Sequence, residues 1–231
     1  MRDPESLYQS TAAAVDVPPG LPLVAAFTGF ADAGNAASRF GDHLISVLDP
    51  TPVAVFDNDE LLDYRARRPI IRFDEDHLVD YEPARLALYL AEDDLGQPFL
   101  LLNGYEPDFQ WERFIEATIG LIARHEVSAT TWVHSIPMPV PHTRPMGVTV
   151  SGNRRDLIDS LSVWKPTTRV PATALHLLEH RLHAAELPVS GFVLLVPHYL
   201  ADTEHPGAAV AALESVSAAT GLIFPTDSLR E

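Results

Sequence analysis

Two short loops of the sequence carry histidines next to other polar side chains that could do chemistry. The first loop contains His142 and Arg144, the second contains His198 and Tyr199, and each histidine directly follows a proline. A proline stiffens the backbone and keeps its neighbours out of regular structure. Two imidazoles, a guanidinium and a phenol at one place could bind an anion or transfer a proton. The alternative is that the prolines only end strands and the histidines fill space.

A glycine-flanked turn near the N-terminus is the second candidate site. Residues 21–27 are predicted to form a buried strand, and residues 36–48 have the apolar spacing of an amphipathic helix. The turn between them contains Gly29, Asp32 and Asn35. It follows the carboxyl end of the strand, where open α/β sheets bind their ligands. Asp32 is explained equally well as a cap of the following helix.

The two loops and the turn are expected to meet, because each follows a predicted strand. Glu106 also follows a strand and is expected at the same edge of the sheet. Strand ends that converge in this way commonly form a ligand pocket. The candidate ligand-binding residues are Gly29, Asp32, Asn35, Glu106, His142, Arg144, His198 and Tyr199. No residue is assigned a catalytic role.

The same turn fits a degenerate dinucleotide-binding pattern. Gly29 and Gly34 match two of its glycines, and Asp57 follows the second strand, where a ribose-binding acid would lie. However, Ala31 places a methyl group where the backbone must approach a pyrophosphate, and Asp32 brings a negative charge into the anion site. A purely structural turn is therefore favoured, and no cofactor is predicted.

Composition disfavours several classes of protein. The 231 residues include no cysteine, which excludes disulfides, thiol nucleophiles and thiolate metal sites. The formal net charge of −16 disfavours nucleic-acid binding. No apolar run reaches the ~18 residues of a membrane helix, and the N-terminal residues lack the pattern of a signal peptide. We therefore expect a cytoplasmic protein that binds neither nucleic acid nor membrane.

Motifs of well-defined catalytic and metal sites are also missing from the sequence. It contains no Gly-x-Ser-x-Gly elbow, no phosphate-binding P-loop and no His-Glu-x-x-His helix. His176, His180 and His183 have a helical spacing that would allow two imidazoles to share a metal. We expect this stripe to face solvent without an acid to complete a site, so no metal is predicted.

The order of the predicted elements indicates the fold class. Strands alternate with helices long enough to cross over a sheet, which favours an α/β, three-layer αβα fold with a mostly parallel central sheet. An inserted hairpin is expected near residues 65–82, whereas residues 85–90 fit a strand or a short helix. Asp108 is expected to cap a helix over residues 109–126. A single domain is predicted for residues 21–231, after an N-terminal lead-in over residues 1–20.

Five short motifs, together with Trp111 and Phe114, point to a known family. The motifs are Thr-Gly-Phe-Ala-Asp-Ala-Gly-Asn-Ala-Ala (28–37), Tyr-Arg-Ala-Arg-Arg-Pro (64–69), Gly-Tyr-Glu-Pro (104–107), Pro-His-Thr-Arg-Pro (141–145) and Val-Pro-His-Tyr (196–199). In combination they resemble the actinobacterial branch of the proteasome assembly chaperone two family. The resemblance implies a phosphorylase/hydrolase-like α/β fold and frequent self-association, with trimers in the bacterial branch. It brings no established catalytic activity, and eukaryotic and archaeal relatives help to assemble proteasome rings.

The chain departs from this family pattern at one turn. Residues 165–171, Lys-Pro-Thr-Thr-Arg-Val-Pro, stand where relatives usually have a Gly-Pro-Thr-Gly-type turn. If that turn lines a pocket, side chains would now crowd it. A small-molecule function taken over from the family is therefore the weaker expectation.

Two hypotheses for function follow. The first is a non-enzymatic protein-interaction or assembly-chaperone-like role, with the chain acting as a homo-oligomer, possibly a trimer, on a protein client. The alternative is a small-ligand-binding protein or hydrolase/phosphorylase-like enzyme that holds an anionic or nucleoside-like ligand at the sheet edge. The alternative requires Asp32, Glu106, His142, Arg144 and His198 to converge on one cavity.

Overall fold

A large twisted sheet forms the centre of the molecule, in a computed structural model that describes residues 3–226 and 229. The remaining residues 1, 2, 227, 228, 230 and 231, at the outer ends of the predicted ranges 1–20 and 21–231, lie outside the described part. The described strands are β1 (Tyr8–Ser10), β2 (Leu23–Thr28), β3 (Thr51–Phe56), β4 (Ile70–Asp74), β5 (His77–Glu82), β6 (Leu86–Glu92), β7 (Pro98–Tyr105), β8 (Thr130–Met138), β9 (Val148–Gly152) and β10 (Val189–Pro197).

Eight of these described strands form the central sheet, in the order β1-β3-β6-β7-β2-β8-β10-β9. The four neighbours β7, β2, β8 and β10 pair in parallel. β3 runs in the same direction, because β6 pairs antiparallel with both β3 and β7. Five of the eight strands therefore point the same way, and the predicted mostly parallel sheet is confirmed.

Helices cover both faces of the sheet. In the described residues they are α1 (Ala36–Leu48), α2 (Asn58–Leu61), α3 (Trp111–Arg124), α4 (Arg155–Leu161), α5 (Ala174–Ala184) and α6 (Pro206–Thr220). α3 and α5 pack into the apolar core on one face, and α1, α4 and α6 pack into the core on the other. The predicted three-layer αβα fold is confirmed.

The central strand β2 shows why the two cores form. Its side chains are apolar almost throughout, and successive side chains of a strand point to opposite faces. Leu23, Ala25 and Phe27 are buried in the core that contains α3 and α5. Val24 and Ala26 are buried in the core that contains α1 and α6. A strand without polar alternation thus holds both helical layers.

The predicted inserted hairpin is also confirmed. β4 and β5 pair with each other in antiparallel orientation and join no other strand of the described chain. The ambiguous segment that follows forms β6, in the body of the central sheet. Leu86 and Leu88 face one core while Ala87 and Tyr89 face the other, so its two-residue period is that of a strand buried on both faces.

The N-terminal lead-in differs from expectation, because part of it belongs to the core. Leu7 and Tyr8 are buried, and β1 extends the sheet by pairing with β3. The aromatic ring of Tyr8 packs edge-on against Phe56, with ring centroids 5.7 Å apart. Two adjacent apolar residues are too few to produce a recognisable strand pattern.

The predicted cap of α3 is wrong, because Asp108 has tertiary partners instead. Its carboxylate accepts the backbone N–H of Asp63 (2.7 Å) and forms an ion pair with Arg67 (2.6 Å). The residue before the helix is Gln110, which has a left-handed conformation with φ 58° and no side-chain cap bond. Both partners of Asp108 come from a distant segment that local pattern cannot reveal.

The expected solvent-facing histidine stripe is wrong at its first member. The ring Nδ1 of His176 accepts the backbone N–H of Thr173 (2.9 Å) and so caps the start of α5. The same ring packs edge-on against Trp132, at 5.1 Å between centroids. His180 and His183 are exposed as expected.

A second histidine, His134 on β8, lies inside the protein. It is 5% exposed, and its ring centroid is 6.0 Å from that of His176. Burial, reinforced by the neighbouring imidazole and opposed by Asp32, lowers the pKa of His134 to about 4. Folding therefore keeps this side chain neutral under conditions in which the unfolded chain would protonate it.

This burial predicts an acid-sensitive contribution to stability. Between the unfolded pKa of about 6.5 and the folded pKa of about 4, the unfolded state binds the extra proton, so stability falls as pH falls. The wild type should lose about 3 kcal/mol more than a His134→Gln variant from about pH 7 to about pH 4. Urea denaturation at several pH values measures this difference. The exposed His180→Gln variant serves as the control, and parallel curves for wild type and His134→Gln would contradict the assignment.

Candidate functional site

The loops that follow β2, β7, β8 and β10 lie at one edge of the sheet, here called the carboxyl edge. They comprise residues 29–35, 106–110, 139–147 and 198–205, and all eight predicted site residues belong to them. The backbone N–H of Gly34 donates to the carbonyl of Ala201 (2.8 Å), which ties the first loop to the last. Ligand binding by these residues stays a prediction.

Asp32 caps α1 from the turn after β2. Its carboxylate accepts the backbone N–H groups of Ala37 (2.7 Å) and Ser38 (3.0 Å) and also the hydroxyl of Ser38. The hydroxyl of Ser135 donates to the same carboxylate (3.3 Å). The first N–H groups of a helix have no partner within the helix, and its N-terminus favours negative charge. Asp32 thus has a complete set of structural contacts.

These contacts also argue against a dinucleotide site. The carboxylate of Asp32 holds the N–H groups at the start of α1 that a pyrophosphate would need. Asp57 lies at the end of β3, which β6 and β7 separate from β2 in the sheet. Its carboxylate accepts the N–H of Asp59 (2.9 Å) and caps α2.

Glu106 has a corresponding role on the other face of the sheet. Its Oε1 accepts the N–H of Ala174 (2.7 Å), the first residue of α5, and its carboxylate also accepts the N–H of Phe30. Burial raises the pKa of Glu106, and these bonds oppose the shift. Gly29 makes room for this side chain, because a Cβ there would lie 3.1 Å from the Cβ of Glu106.

The turn after β2 contains an unusual density of left-handed residues. Ala31, Gly34 and Asn35 have φ values of 51°, 67° and 53°. Such a conformation costs on the order of 1 kcal/mol for a residue with a side chain and persists where surrounding contacts enforce it. Asn35 makes no side-chain cap bond to α1, and its N–H donates to the carbonyl of Asp32 (3.0 Å). The backbone, rather than the amide side chain, explains its place in the turn.

The histidines of the two proline-flanked loops meet through Tyr199. The hydroxyl of Tyr199 accepts the backbone N–H of His142 (2.8 Å) and contacts the ring Nδ1 of the same residue at 2.8 Å. Its ring lies edge-on to His142 and to His198, at 5.8 and 5.3 Å between centroids. All three side chains are exposed, so the cluster forms part of the surface.

An open groove of about 500 Å³ lies beside this cluster. His142 and Arg144 line it, together with His205, which is not among the residues predicted from sequence. The other described lining residues are mainly apolar: Val140, Pro141, Pro145, Met146, Gly147, Val163, Leu195, Pro197 and Gly207. The only sequence signal for His205 is its position directly before the proline that begins α6.

The predicted residues therefore divide into three groups. The first group lies at the starts of two helices, with Asp32 and Asn35 at α1 and Glu106 and Gly29 at α5. His198 and Tyr199 adjoin the groove without lining it, and His142 and Arg144 line it. The convergence of five side chains on one cavity, which the enzyme hypothesis requires, is absent from the described groove.

Two classes of site find no support in the described residues. Among residues 3–226 and 229, no three histidine, aspartate or glutamate side chains form a group that could hold a metal ion. Within the same part of the chain, no helix combines the length and apolar character needed to cross a membrane.

The capping role of Asp32 predicts a stability effect. Asp32→Ala removes the acceptor of two helix N–H groups and should lower the free energy of unfolding by about 2 kcal/mol. Asp32→Asn should cost less, because an amide oxygen still accepts. Urea denaturation compares both with Asp16→Ala, which removes an exposed acid. A loss for Asp32→Ala no greater than that of the control would contradict the role.

Comparison with known proteins places the chain among relatives. It is similar to a protein of unknown function from Mycobacterium tuberculosis, with 42% identity, a TM-score of 0.90, and coverage of 97% of this chain and 78% of that one. It is also similar to a protein of unknown function from Corynebacterium glutamicum, with 34% identity, a TM-score of 0.92, and coverage of 97% and 85%.

A more distant structural neighbour has a descriptive name. A proteasome-assembly chaperone homologue from Mycobacterium tuberculosis shares 23% identity and a TM-score of 0.81, over 91% of this chain and 89% of that one, and thus shares the fold. No curated protein matches the sequence. The family model described as the PAC2 family matches residues 26–231. With most of its length matched in this way, the chain belongs to the PAC2 family.

Proposed function

We propose that this protein is a non-enzymatic, assembly-chaperone-like protein of the cytoplasm, which binds a protein client and acts as a homo-oligomer. The observation that carries the proposal is the distribution of exposed aromatic side chains. In the described part of the chain, six Phe, Tyr and Trp side chains are exposed, and they lie on the carboxyl-edge loops, on the β4–β5 hairpin, or on residues 162–173, whose Val163 lines the groove at that edge. They are Phe30, Phe73, Tyr81, Phe109, Trp164 and Tyr199.

Such a concentration is typical of an interaction surface. Single exposed apolar residues are common on any protein, but a clustered set marks a binding surface. Aromatic side chains are also enriched in protein–protein interfaces. Among the described residues, the large apolar side chains exposed at the opposite edge of the sheet are aliphatic, such as Leu95 and Leu187. This asymmetry favours one edge as the place where a client binds.

The contacts of two half-buried carboxylates support a non-enzymatic role. A general acid or base must reach its substrate with an available proton site. Asp32 and Glu106 instead accept backbone N–H groups at the starts of α1 and α5. These two carboxylates therefore hold the fold and do not act as a free acid–base pair.

Family membership indicates which class of client protein to expect. A PAC2-fold neighbour is named a proteasome-assembly chaperone homologue, and the family resemblance implies self-association, with a trimer as the expected count. A subunit of a ring-shaped protein assembly is therefore the client class that we propose. Nucleic acid and membrane are not expected partners, because the net charge of −16 repels anionic surfaces.

Affinity purification from the native host tests the proposal. The wild type should retain a partner in stoichiometric amount, and a Phe30→Ser/Phe109→Ser double variant should retain at least tenfold less, because interface aromatics commonly contribute more than about 1 kcal/mol each. Leu95→Ser, which removes an even more exposed apolar side chain at the opposite edge, should bind like the wild type. Recovery of no stoichiometric partner, or equal loss in the control, would count against the proposal.

The groove supports a second candidate function, the binding of a small anionic or nucleoside-like ligand. Arg144 and His142 offer donors to an anion, and the groove volume of about 500 Å³ suits a small molecule. A thermal-shift screen with nucleosides, nucleotides and phosphate distinguishes this function. A saturable rise in melting temperature that Arg144→Gln abolishes would support it. No shift with any of these compounds would leave the client-binding proposal as the better account.

A further inference from the structure

The β4–β5 hairpin exposes more apolar surface than its own folding explains. Ile70 and Phe73 are each 68% exposed, and Leu78 is 60% exposed. The two strands pair only with each other in the described chain. An isolated two-stranded hairpin is marginally stable in water, and apolar side chains on it gain stability only by being covered. The hairpin therefore has the features of a segment that packs on another molecule.

Near its tip the hairpin has an apolar pair of residues, and the turn that follows the pair is acidic. Phe73 and Leu78 stand opposite each other in the β4–β5 register. The turn beyond them contains Glu75 and Asp76, both exposed. Arg72 forms ion pairs with Asp74 (3.1 Å) and with another acid on β5, so its positive charge is balanced within the hairpin. In the described residues no basic side chain forms an ion pair with Glu75.

The groove at the carboxyl edge is complementary to the hairpin tip in charge and in polarity. Its walls include Arg144, His142 and His205, and no acidic side chain lines it in the described part of the chain. Arg144 forms no ion pair with any described residue. The apolar part of the lining includes Met146 and Val163. An apolar pair followed by an acidic turn thus fits this groove in both polarity and charge.

The hairpin and the groove of one chain lie at opposite ends of the carboxyl edge. The hairpin leaves the chain between β3 and β6, whereas the groove lies beside the ends of β10 and β8. Four strand spacings separate β6 from β10, which is roughly 19 Å at about 4.8 Å each. A contact between two copies joins these surfaces without rearranging either one.

We infer that the β4–β5 hairpin of one copy packs into the groove of a second copy, with the acidic tip facing Arg144. This inference rests on the self-association in the proposed function and assigns the surfaces that carry it. Because two different surfaces meet, the contact is heterologous, and repetition around a rotation axis closes a ring. A second copy is the favoured occupant since this chain itself provides both complementary halves.

The exposed apolar surface of the hairpin is a large part of what a stable contact needs. Ile70, Ile71, Phe73, Leu78 and Tyr81 are between 45% and 68% exposed. At about 200 Å² for each side chain, they present on the order of 600 Å² of surface. The polar turn adds to this area, which then approaches the ~800 Å² per partner of a standard interface.

Light scattering and sedimentation of the purified chain test the inference. The wild type should form an oligomer, and Phe73→Ser should raise its dissociation constant more than tenfold. Glu75→Arg and Arg144→Glu should each raise it about tenfold, whereas the double charge-swap variant should return to within about threefold of the wild type. Leu95→Ser and Arg155→Glu change exposed residues away from both surfaces and should have no effect. Circular dichroism confirms that each variant is folded.

The other outcomes are distinguishable from one another. An oligomer that survives Phe73→Ser and Arg144→Glu would overturn the inference while leaving self-association intact. A wild type that stays monomeric up to about 100 μM, a concentration well above that needed for micromolar contacts, would remove self-association and the inference together. Loss of client capture by Phe73→Ser, with the oligomer unchanged, would assign the hairpin to the client and overturn the inference.

A site-specific cross-link provides a readout that does not depend on weakened binding. The chain contains no cysteine, so Glu75→Cys and Arg144→Cys each introduce a single thiol. A short bismaleimide should join the two variants in a mixture and give a product of twice the chain mass, as the contact between copies requires. A mixture of Glu75→Cys with Arg155→Cys should give no such product. Equal yields in both mixtures would overturn the inference.

Discussion

Two carboxylates, Asp32 after β2 and Glu106 after β7, hold the helical layers to the sheet, and the arrangement of the carboxyl edge depends on them. Asp32 accepts N–H groups of α1 on one face, and Glu106 accepts an N–H group of α5 on the other. Each carboxylate meets the positive end of a helix, where a negative charge is stabilised and otherwise unpaired donors are satisfied. The glycine at position 29 allows the two segments to approach. These contacts therefore constrain the conformation of the loops at the carboxyl edge.

This constraint shapes what the edge can do. Helix N-termini at the carboxyl ends of parallel strands commonly bind anionic ligands in α/β proteins. Here the protein's own carboxylates take those positions, and the groups that the edge presents to solvent include exposed aromatic rings and the cation Arg144. Such groups suit recognition of another protein surface better than they suit bond-making chemistry. The left-handed residues of the turn after β2 belong to the same arrangement, because strained backbone persists only where surrounding contacts enforce it.

The candidate site shows the limits of reasoning from strand ends. Placing all eight residues at one edge followed from topology, since each residue comes directly after a strand or within the loop that follows it. Their separation into helix caps, a tyrosine–histidine cluster and a groove did not follow, because it depends on which donors lie nearby in space. His205 was missed for the same reason. It enters the groove through the packing of α6 rather than through any motif.

The sequence by itself determined the α/β class, the buried central strands, the inserted hairpin and most helix positions. These features depend on apolar periodicity and on breakers, which act over a few residues. Tertiary structure alone decided that residues 8–10 join the sheet, that Asp108 pairs with Arg67, and that His134 is buried and His176 half-buried. Each of these depends on a partner far away along the chain. Local pattern carries no information about such partners, because their proximity arises only when the layers pack.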